Sequence, residues 1–143
     1  MEGKRMTTDS VLEGGCLCGD IRYRATAAPF WVGHCHCRMC QKHTGAAFAT
    51  DAIFRIDHLF WLQSEPIYYR SSETTERGFC PRCGSTVSGR YFKEPDVLIV
   101  AVGTLDNPDL VEPTLHEWTS SRTKWLHLND GLREFPEGET ESG

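Results

Sequence analysis

The distribution of cysteines constrains this chain more than any other feature of its 143 residues. The seven cysteines fall into three short groups, which are Cys16-Leu17-Cys18, Cys35-His36-Cys37-Arg38-Met39-Cys40 and Cys80-Pro81-Arg82-Cys83. A structural zinc site is closed by four ligands, whereas a catalytic zinc site has three protein ligands and one open position. One set of four and one set of three use every cysteine, so the sequence predicts two zinc ions, one structural and one with an open position.

The hydrophobic pattern predicts neither a signal peptide nor a membrane segment. Residues 1–10 are polar, and the longest apolar run, residues 97–102, is too short to cross a bilayer. We therefore expect a cytoplasmic protein with no membrane partner. In a reducing compartment, clustered cysteines are more often metal ligands than disulfides, and an odd number cannot pair completely.

The charge balance is acidic. Fifteen Lys and Arg residues against twenty Asp and Glu residues give a formal net charge of -5, with no basic run along the chain. Nucleic-acid binding requires a cationic surface that displaces counterions from phosphates. We therefore expect no nucleic-acid partner.

The length indicates one domain. The polar segment 1–10 and the acidic segment 137–143 are predicted to be flexible tails that flank a single zinc domain at residues 11–136. Within that domain, aromatic and β-branched runs separated by Gly, Pro, Asp and Ser predict a mainly antiparallel β architecture. The predicted strands are 20–25, 46–56, 67–70, 75–79, 86–92 and 97–102, and one short helix is predicted at 38–44, ended by Gly45.

The Cys80–Cys83 pair carries the most specific local signal. Two cysteines three residues apart and followed by Gly84 are typical of a metal knuckle, in which backbone N–H groups donate to the sulfur atoms. Gly84 permits a positive φ at that point. The pair Cys16 and Cys18 is interpreted as lying on a strand, where residues two apart face the same side and both sulfurs reach one ion.

The group Cys35, Cys37 and Cys40 places three sulfurs within six residues. Three thiolates on zinc leave one vertex for water, a substrate thiol or a protein ligand. The alternative is a closed site in which one of the neighbouring histidines, His34, His36 or His43, is the fourth ligand. Spacing favours the open site and does not exclude the closed one.

Spacing alone also leaves the pairing of the groups unsettled. Joining Cys16 and Cys18 to Cys37 and Cys40 matches an ordinary zinc-ribbon spacing, but it leaves Cys35, Cys80 and Cys83 scattered. Joining Cys16 and Cys18 to Cys80 and Cys83 leaves a compact trio, and we prefer that pairing.

The motifs resemble those of the family named for glutathione-dependent formaldehyde-activating enzymes, which also includes centromere protein V. The resemblance is carried by residues 14–19, residues 34–45 and residues 77–85, and it continues through 103–108 and 116–135. It implies a tent-like arrangement of small antiparallel sheets around two zinc sites. It also implies a structural zinc on Cys16, Cys18, Cys80 and Cys83, and a catalytic-type zinc on Cys35, Cys37 and Cys40.

The resemblance further implies a carbon–sulfur lyase that makes or breaks an S-hydroxymethyl adduct of a small thiol such as glutathione. The leading alternative is a non-catalytic, zinc-stabilised module that binds a protein partner, since one fold carries many functions. The sequence predicts no oligomeric state and identifies no general acid or base; the weak candidates are His34, His36 and His43. Other candidates are Trp118, Trp125 and His116 for a pocket wall, with packing the preferred role, and Arg38, Lys42 and Arg77 for substrate carboxylates.

Overall fold

A computed structural model describes residues 11–139. These residues form eleven β-strands, one α-helix and four short 3-10 turns. The predicted N-terminal tail, 1–10, and the last four residues of the predicted C-terminal tail lie outside the described part. The strands are β1 (Leu12–Gly15), β2 (Arg22–Ala25), β3 (Trp31–Cys35), β4 (Ala49–Arg55), β5 (Leu59–Trp61), β6 (Ile67–Arg70), β7 (Thr75–Phe79), β8 (Thr86–Tyr91), β9 (Glu94–Ala101), β10 (Leu115–Glu117) and β11 (Arg133–Glu134), and α1 is Arg38–Thr44.

The strands form two sheets. A three-stranded antiparallel sheet has the order β1-β2-β5, and an eight-stranded sheet has the order β11-β10-β3-β4-β9-β8-β7-β6. In the larger sheet β10 runs parallel to both β3 and β11, whereas the remaining pairs are antiparallel. The predicted mainly β fold is confirmed, with a mixed rather than purely antiparallel larger sheet.

The main core lies between one face of the larger sheet and the smaller sheet. Tyr23 and Phe54 are the largest side chains in it and are fully buried. The phenol of Tyr23 hydrogen bonds to Thr104 Oγ1 at 2.7 Å, which gives this buried polar group a partner. Strand alternation assigns Ala52, Phe54 and Val100 to this face, which we call the core face. The other side of the larger sheet is called the outer face.

The sequence located several elements well. Strands β6 and β7 have the predicted bounds, and α1 is the predicted helix, ended by Gly45 in a left-handed conformation with φ of 69°. Strands β3 and β10 were not predicted, because the sequences WVGHC and LHE are short and lack a clear alternation. These two strands border the candidate site, so their pairing decides which side chains meet there.

Two further observations concern the ends and the helices. The first residues of the predicted C-terminal tail contact the sheet: the Glu139 N–H donates to Glu117 Oε2 at 2.6 Å, and Trp31 Nε1 donates to Glu139 Oε1 at 2.7 Å. Within residues 11–139 no helix has the length and apolarity needed to span a membrane.

Candidate metal centres

The chain brings Cys16, Cys18, Cys80 and Cys83 together, and we call this set the four-cysteine group. All four sulfurs lie within 4.8 Å of one another. Cys16 Sγ lies 3.6 Å from Cys18 Sγ, which in turn lies 3.9 Å from Cys80 Sγ. The four could hold a metal ion, and they join the turn after β1 to the connection between β7 and β8.

The strand interpretation of Cys16 and Cys18 is wrong. Both residues belong to a turn that follows β1, closed by a hydrogen bond from the Gly19 N–H to the Cys16 carbonyl at 3.1 Å. Gly19 has a φ of 83°, which bends the chain more tightly than a strand allows. The intervening Leu17 is 89% exposed, and the turn directs both sulfurs towards Cys80 and Cys83, with Cys16 buried and Cys18 exposed.

The backbone geometry predicted for the Cys80–Cys83 knuckle is confirmed. The N–H groups of Arg82 and Cys83 donate to Cys80 Sγ at 3.3 and 3.4 Å, and Gly84 has a φ of 79°. The Ser85 hydroxyl lies 3.1 Å from Cys83 Sγ, and this contact, together with the Ser85 backbone N–H, lowers the pKa of Cys83 to about 5. Fixed donors therefore favour the thiolate form that a metal requires.

Two members of the four-cysteine group are also part of the packed interior. Cys16 and Cys80 are buried in a small hydrophobic cluster with Ile21 and Val87. The Ile21 N–H donates to Cys16 Sγ at 3.2 Å. The group therefore ties the two sheets together at a place where few large apolar side chains are available.

Cys35, Cys37 and Cys40 form the second set, which we call the cysteine trio. Cys35 ends β3, Cys37 caps the N-terminus of α1, and Cys40 is buried within that helix. Their sulfurs lie within 4.8 Å of one another. Cys37 Sγ accepts the Cys40 N–H at 3.3 Å, and hydrogen bonds with the thiols of Cys35 and Cys40 lower the pKa of Cys37.

Within residues 11–139 no histidine nitrogen or carboxylate oxygen completes the trio within the same 4.8 Å. The nearby cationic group is Arg77, whose Nη1 donates to Cys40 Sγ at 3.4 Å while its Nε donates to Ser71 Oγ at 3.1 Å. The structure therefore places Arg77 beside a sulfur atom. This arrangement favours a trio with an open position over a site that a histidine closes as the fourth ligand.

Two of the three candidate histidines lie away from the trio. Register pairs His34 with His116, so both face the side of the sheet opposite to Cys35. His36 Nε2 lies 2.8 Å from His116 Nδ1, and His116 Nε2 lies 2.8 Å from Asp130 Oδ2. These groups form a buried hydrogen-bonded chain on the core face, and burial lowers the pKa of His36 to about 4.

His34, His116 and Asp130 place ligand atoms within 4.8 Å of one another, but their geometry does not suit a metal. The rings of His34 and His116 are stacked, with centroids 4.7 Å apart and planes inclined by 29°. Nitrogen lone pairs lie in the ring planes, so stacked rings do not direct them at one ion. Both nitrogens of His116 are also already hydrogen bonded.

The remaining candidates lie around α1. His43 is in the last turn of the helix, and burial lowers its pKa. Trp125 is 71% exposed and lines a shallow cleft of about 400 Å³ together with Arg38 and Lys42. His116 is fully buried, as the preferred packing role requires, and Trp118 holds a left-handed backbone, with a φ of 56°.

The outer face brings acidic residues to the trio that sequence reasoning missed. Glu117 pairs directly with Cys35, and Asp51 pairs with Gly33, two residues before Cys35. Alternation assigns Cys35, Asp51 and Glu117 to the same face. The pairing of β3 with β4 and β10 was the missing signal, because single-strand patterns do not reveal which strands are neighbours.

Burial changes the acidity of this neighbourhood. Desolvation raises the pKa of Asp51 to about 7, with Arg77 opposing the shift and the charges of Cys37 and Glu117 adding to it. Burial also raises the pKa values of Glu117 and Tyr91. Groups with perturbed acidity beside a cluster of nucleophilic thiols are typical of a functional site.

Comparisons with known proteins agree with this geometry. The family model described as glutathione-dependent formaldehyde-activating enzyme matches residues 11–121. A protein of Halomonas elongata that is provisionally named a glutathione-dependent formaldehyde-activating enzyme is 26% identical over 128 residues, covering 82% of this chain and 81% of its own length. A crystal structure of a Rhodobacter sphaeroides protein, a structural-genomics target, has the same fold, with a TM-score of 0.55 and 19% identity over 86% of this chain and 98% of its own. Since the family model covers most of the chain and both cysteine groups, this protein belongs to the family of glutathione-dependent formaldehyde-activating enzymes.

Proposed function

We propose that the protein is a zinc-dependent carbon–sulfur lyase that makes or breaks the S-hydroxymethyl adduct of a small thiol such as glutathione. Membership of the family and the name given to the Halomonas relative support the substrate class. The observation that carries the proposal is the cysteine trio, in which three sulfurs converge and no fourth histidine or carboxylate ligand joins them within residues 11–139.

The four-cysteine group fits a structural zinc ion. Zinc–sulfur bonds of about 2.3 Å in a tetrahedron place the sulfurs about 3.8 Å apart. The distances of 3.6 and 3.9 Å among Cys16, Cys18 and Cys80 bracket that value. The donors are all thiols that already accept backbone N–H groups, so we assign zinc to this group together with Cys83.

Cys35, Cys37 and Cys40 would hold the second zinc ion. When bound there, zinc supplies Lewis-acid stabilisation of a thiolate, which lowers the pKa of a thiol substrate. The chain itself adds the Arg77 guanidinium beside Cys40, which offsets the negative charge of the sulfurs. The outer face of the larger sheet flanks the trio and offers the protein groups nearest to a substrate.

Three ligands instead of four give the trio its proposed role. A thiol substrate needs a free position, and a trio without a fourth protein ligand leaves one. The same sulfurs attract a soft metal that favours a further sulfur ligand. Formation and cleavage of the adduct change one C–S bond, the π bond of the aldehyde carbonyl and one proton position, so no redox cofactor is required.

We also propose that the protein works in the cytoplasm. All seven cysteines are unpaired thiols. Thiols persist as metal ligands in a reducing compartment, where small thiols are also abundant.

The direct test is an exchange assay with zinc-loaded protein. Two-dimensional NMR with ¹³C-formaldehyde and glutathione measures the rate at which the S-hydroxymethyl adduct forms and dissociates. We expect exchange well above the spontaneous rate, and we expect Cys37→Ser to return it to the spontaneous rate. Wild type and Cys37→Ser are compared at equal zinc occupancy of the four-cysteine group, so that a loss of the structural site does not account for a difference in rate.

An unaccelerated exchange with two zinc ions bound per chain would contradict the lyase proposal. In that case the non-catalytic protein-binding module would become the better account, because both zinc ions would then serve only the fold. Acceleration that survives Cys37→Ser would instead show that the chemistry takes place away from the trio.

A further inference from the structure

One carboxyl group on the outer face has no assigned role. Asp51 lies in β4, where it pairs with Gly33, while Ala49 pairs with Cys35. Residues diagonally related across an antiparallel pair lie about 7–8 Å apart on the same face. This separation keeps Asp51 off the sulfur of Cys35 and leaves room for a one-carbon adduct between the two side chains.

Asp51 is half-buried and lacks the partners that a buried carboxylate normally has. Among residues 11–139 no donor hydrogen bonds to its side chain, and the charges acting on it come from Arg77, Cys37 and Glu117. The Asp51 oxygens are not among the fully buried polar atoms that lack a partner, so this half-buried carboxyl is open to a substrate at the trio. A carboxyl that desolvation keeps near neutrality exists in both protonation states at physiological pH.

Most other ionisable groups near the trio are already engaged or face away from it, whereas His43 in α1 has a buried Nε2 without a hydrogen-bond partner among residues 11–139 and a pKa that burial lowers. Glu117 Oε2 accepts the Glu139 N–H at 2.6 Å, and Arg77 donates to Cys40 Sγ. His34 is on the opposite face of β3, where its Nδ1 lies 2.8 Å from Thr50 Oγ1. Tyr91 holds its proton because burial raises its pKa well above the usual range.

We propose that Asp51 is the general acid–base of this reaction, carrying a proton between the thiol and the hydroxyl oxygen of the adduct. The inference rests on the proposed lyase function. In adduct formation the Asp51 carboxylate accepts the S–H proton, and the sulfur electron pair forms the C–S bond. The carbonyl π pair moves to oxygen, which takes the proton from Asp51 and becomes the hydroxyl. Cleavage reverses each step, so Asp51 ends in its starting state and no redox change occurs.

The test compares Asp51→Asn and Asp51→Glu with the surface control Asp96→Asn in the same exchange assay. Asp96 is 64% exposed and lies 3.8 Å from Arg55, far along β9 from the trio, so it removes a carboxylate without touching the site. We expect Asp51→Asn to lower the accelerated rate by about 100-fold or more with zinc content unchanged. Asp51→Glu should recover part of the rate, and Asp96→Asn should match wild type.

Four outcomes would overturn the inference. If wild type fails to accelerate exchange, both the lyase function and the role of Asp51 are wrong. If wild type is active and Asp51→Asn stays within threefold of it, only the role of Asp51 is wrong. If Asp51→Asn loses the second zinc ion, Asp51 supports the metal instead of moving a proton. If Glu117→Gln has the larger effect at full zinc content, the proton carrier is Glu117.

Thermal unfolding supplies a readout that does not depend on activity. The pKa of Asp51 is raised from 3.8 to about 7 in the folded protein. Between these two pH values the folded protein therefore binds more protons than the unfolded chain. Wild-type stability therefore falls as pH rises towards 7, whereas Asp51→Asn is spared that loss. We expect the difference in Tm, Asp51→Asn minus wild type, to increase by a few degrees from pH 6 to pH 8. An unchanged difference would show that Asp51 is not desolvated and would count against its role.

Discussion

The two cysteine groups of this protein contain the same ligand atoms but differ in their number and in the groups that contact them. Cys16 and Cys80 of the four-cysteine group are buried in an apolar cluster, and their sulfurs accept fixed backbone N–H groups from Ile21, Arg82 and Cys83, while Cys18 is exposed. The cysteine trio accepts one backbone N–H, from Cys40, and one guanidinium, from Arg77. Its outer flank carries the ionisable side chains of Asp51 and Glu117.

This contrast indicates how one fold can separate a structural metal from a reactive one. In the proposed function, four sulfurs with fixed donors would complete a tetrahedron and exclude further ligands, so a metal held there would serve the packing. Three sulfurs at the junction of β3 and α1 leave a position that faces groups able to exchange protons. The difference lies in ligand number and in neighbours, because the sulfur chemistry is identical.

The largest expected effect is the difference in folding between a variant of the four-cysteine group and a variant of the trio. Cys80→Ser should unfold or strongly destabilise the protein, since Cys80 is fully buried and anchors the knuckle. Cys37→Ser should keep the fold and lose mainly the second metal. Zinc content and circular dichroism of both variants measure the two losses. Equal loss of folding in both variants would contradict the assignment of a structural role to one group and a reactive role to the other.

A smaller effect is expected from the cation beside the trio. Arg77→Gln removes the positive charge 3.4 Å from Cys40 Sγ, so competition with a chelator should show about tenfold or greater weakening of the second site only. Arg77→Lys should restore part of the affinity, because Lys keeps the charge without the planar fork. The control is Arg55→Gln, which removes an exposed arginine. Weakening of the four-cysteine group by the same factor would mean that Arg77 acts on the fold as a whole.

The smallest effect tests the backbone of the knuckle. Gly84→Ala places a side chain at a φ of 79°, where no atom lies within 4 Å of the new Cβ, so its cost is conformational strain of about 1 kcal/mol. Gly103→Ala is the matched control, since it also meets nothing within 4 Å and its φ lies outside the left-handed region. Urea unfolding of the zinc-loaded variants measures the difference. Equal stability of the two variants would show that the knuckle does not depend on its left-handed glycine.

The sequence predicted the features that are local in the chain. The Cys80 knuckle, the helix ended by Gly45 and strands β6 and β7 follow from short-range rules about turns, caps and alternation. The gathering of the cysteines into sets of four and three also agrees with the preferred pairing. A specific motif thus carried information about long-range contact.

The sequence could not predict features that depend on which strands are neighbours. Asp51 and Glu117 reach the trio only because β4 and β10 both pair with β3, and two of these three strands are short and weakly patterned. His36 was a candidate because it adjoins Cys37 in sequence, yet its ring joins His116 and Asp130 on the core face. Consecutive side chains along an extended chain point to opposite faces. Proximity in sequence to Cys37 therefore wrongly placed His36 beside the trio.

The central claim is that the trio keeps an open position that a thiol can fill. X-ray absorption at the zinc edge of the protein loaded with two zinc ions tests it directly, with and without glutathione. The account predicts about 3.5 sulfur ligands per zinc without glutathione, the average of a four-sulfur and a three-sulfur site, rising to about 4 when it is added. A sulfur number that does not change on addition of glutathione would show that the second site is closed, and the proposed chemistry would then have no place to occur.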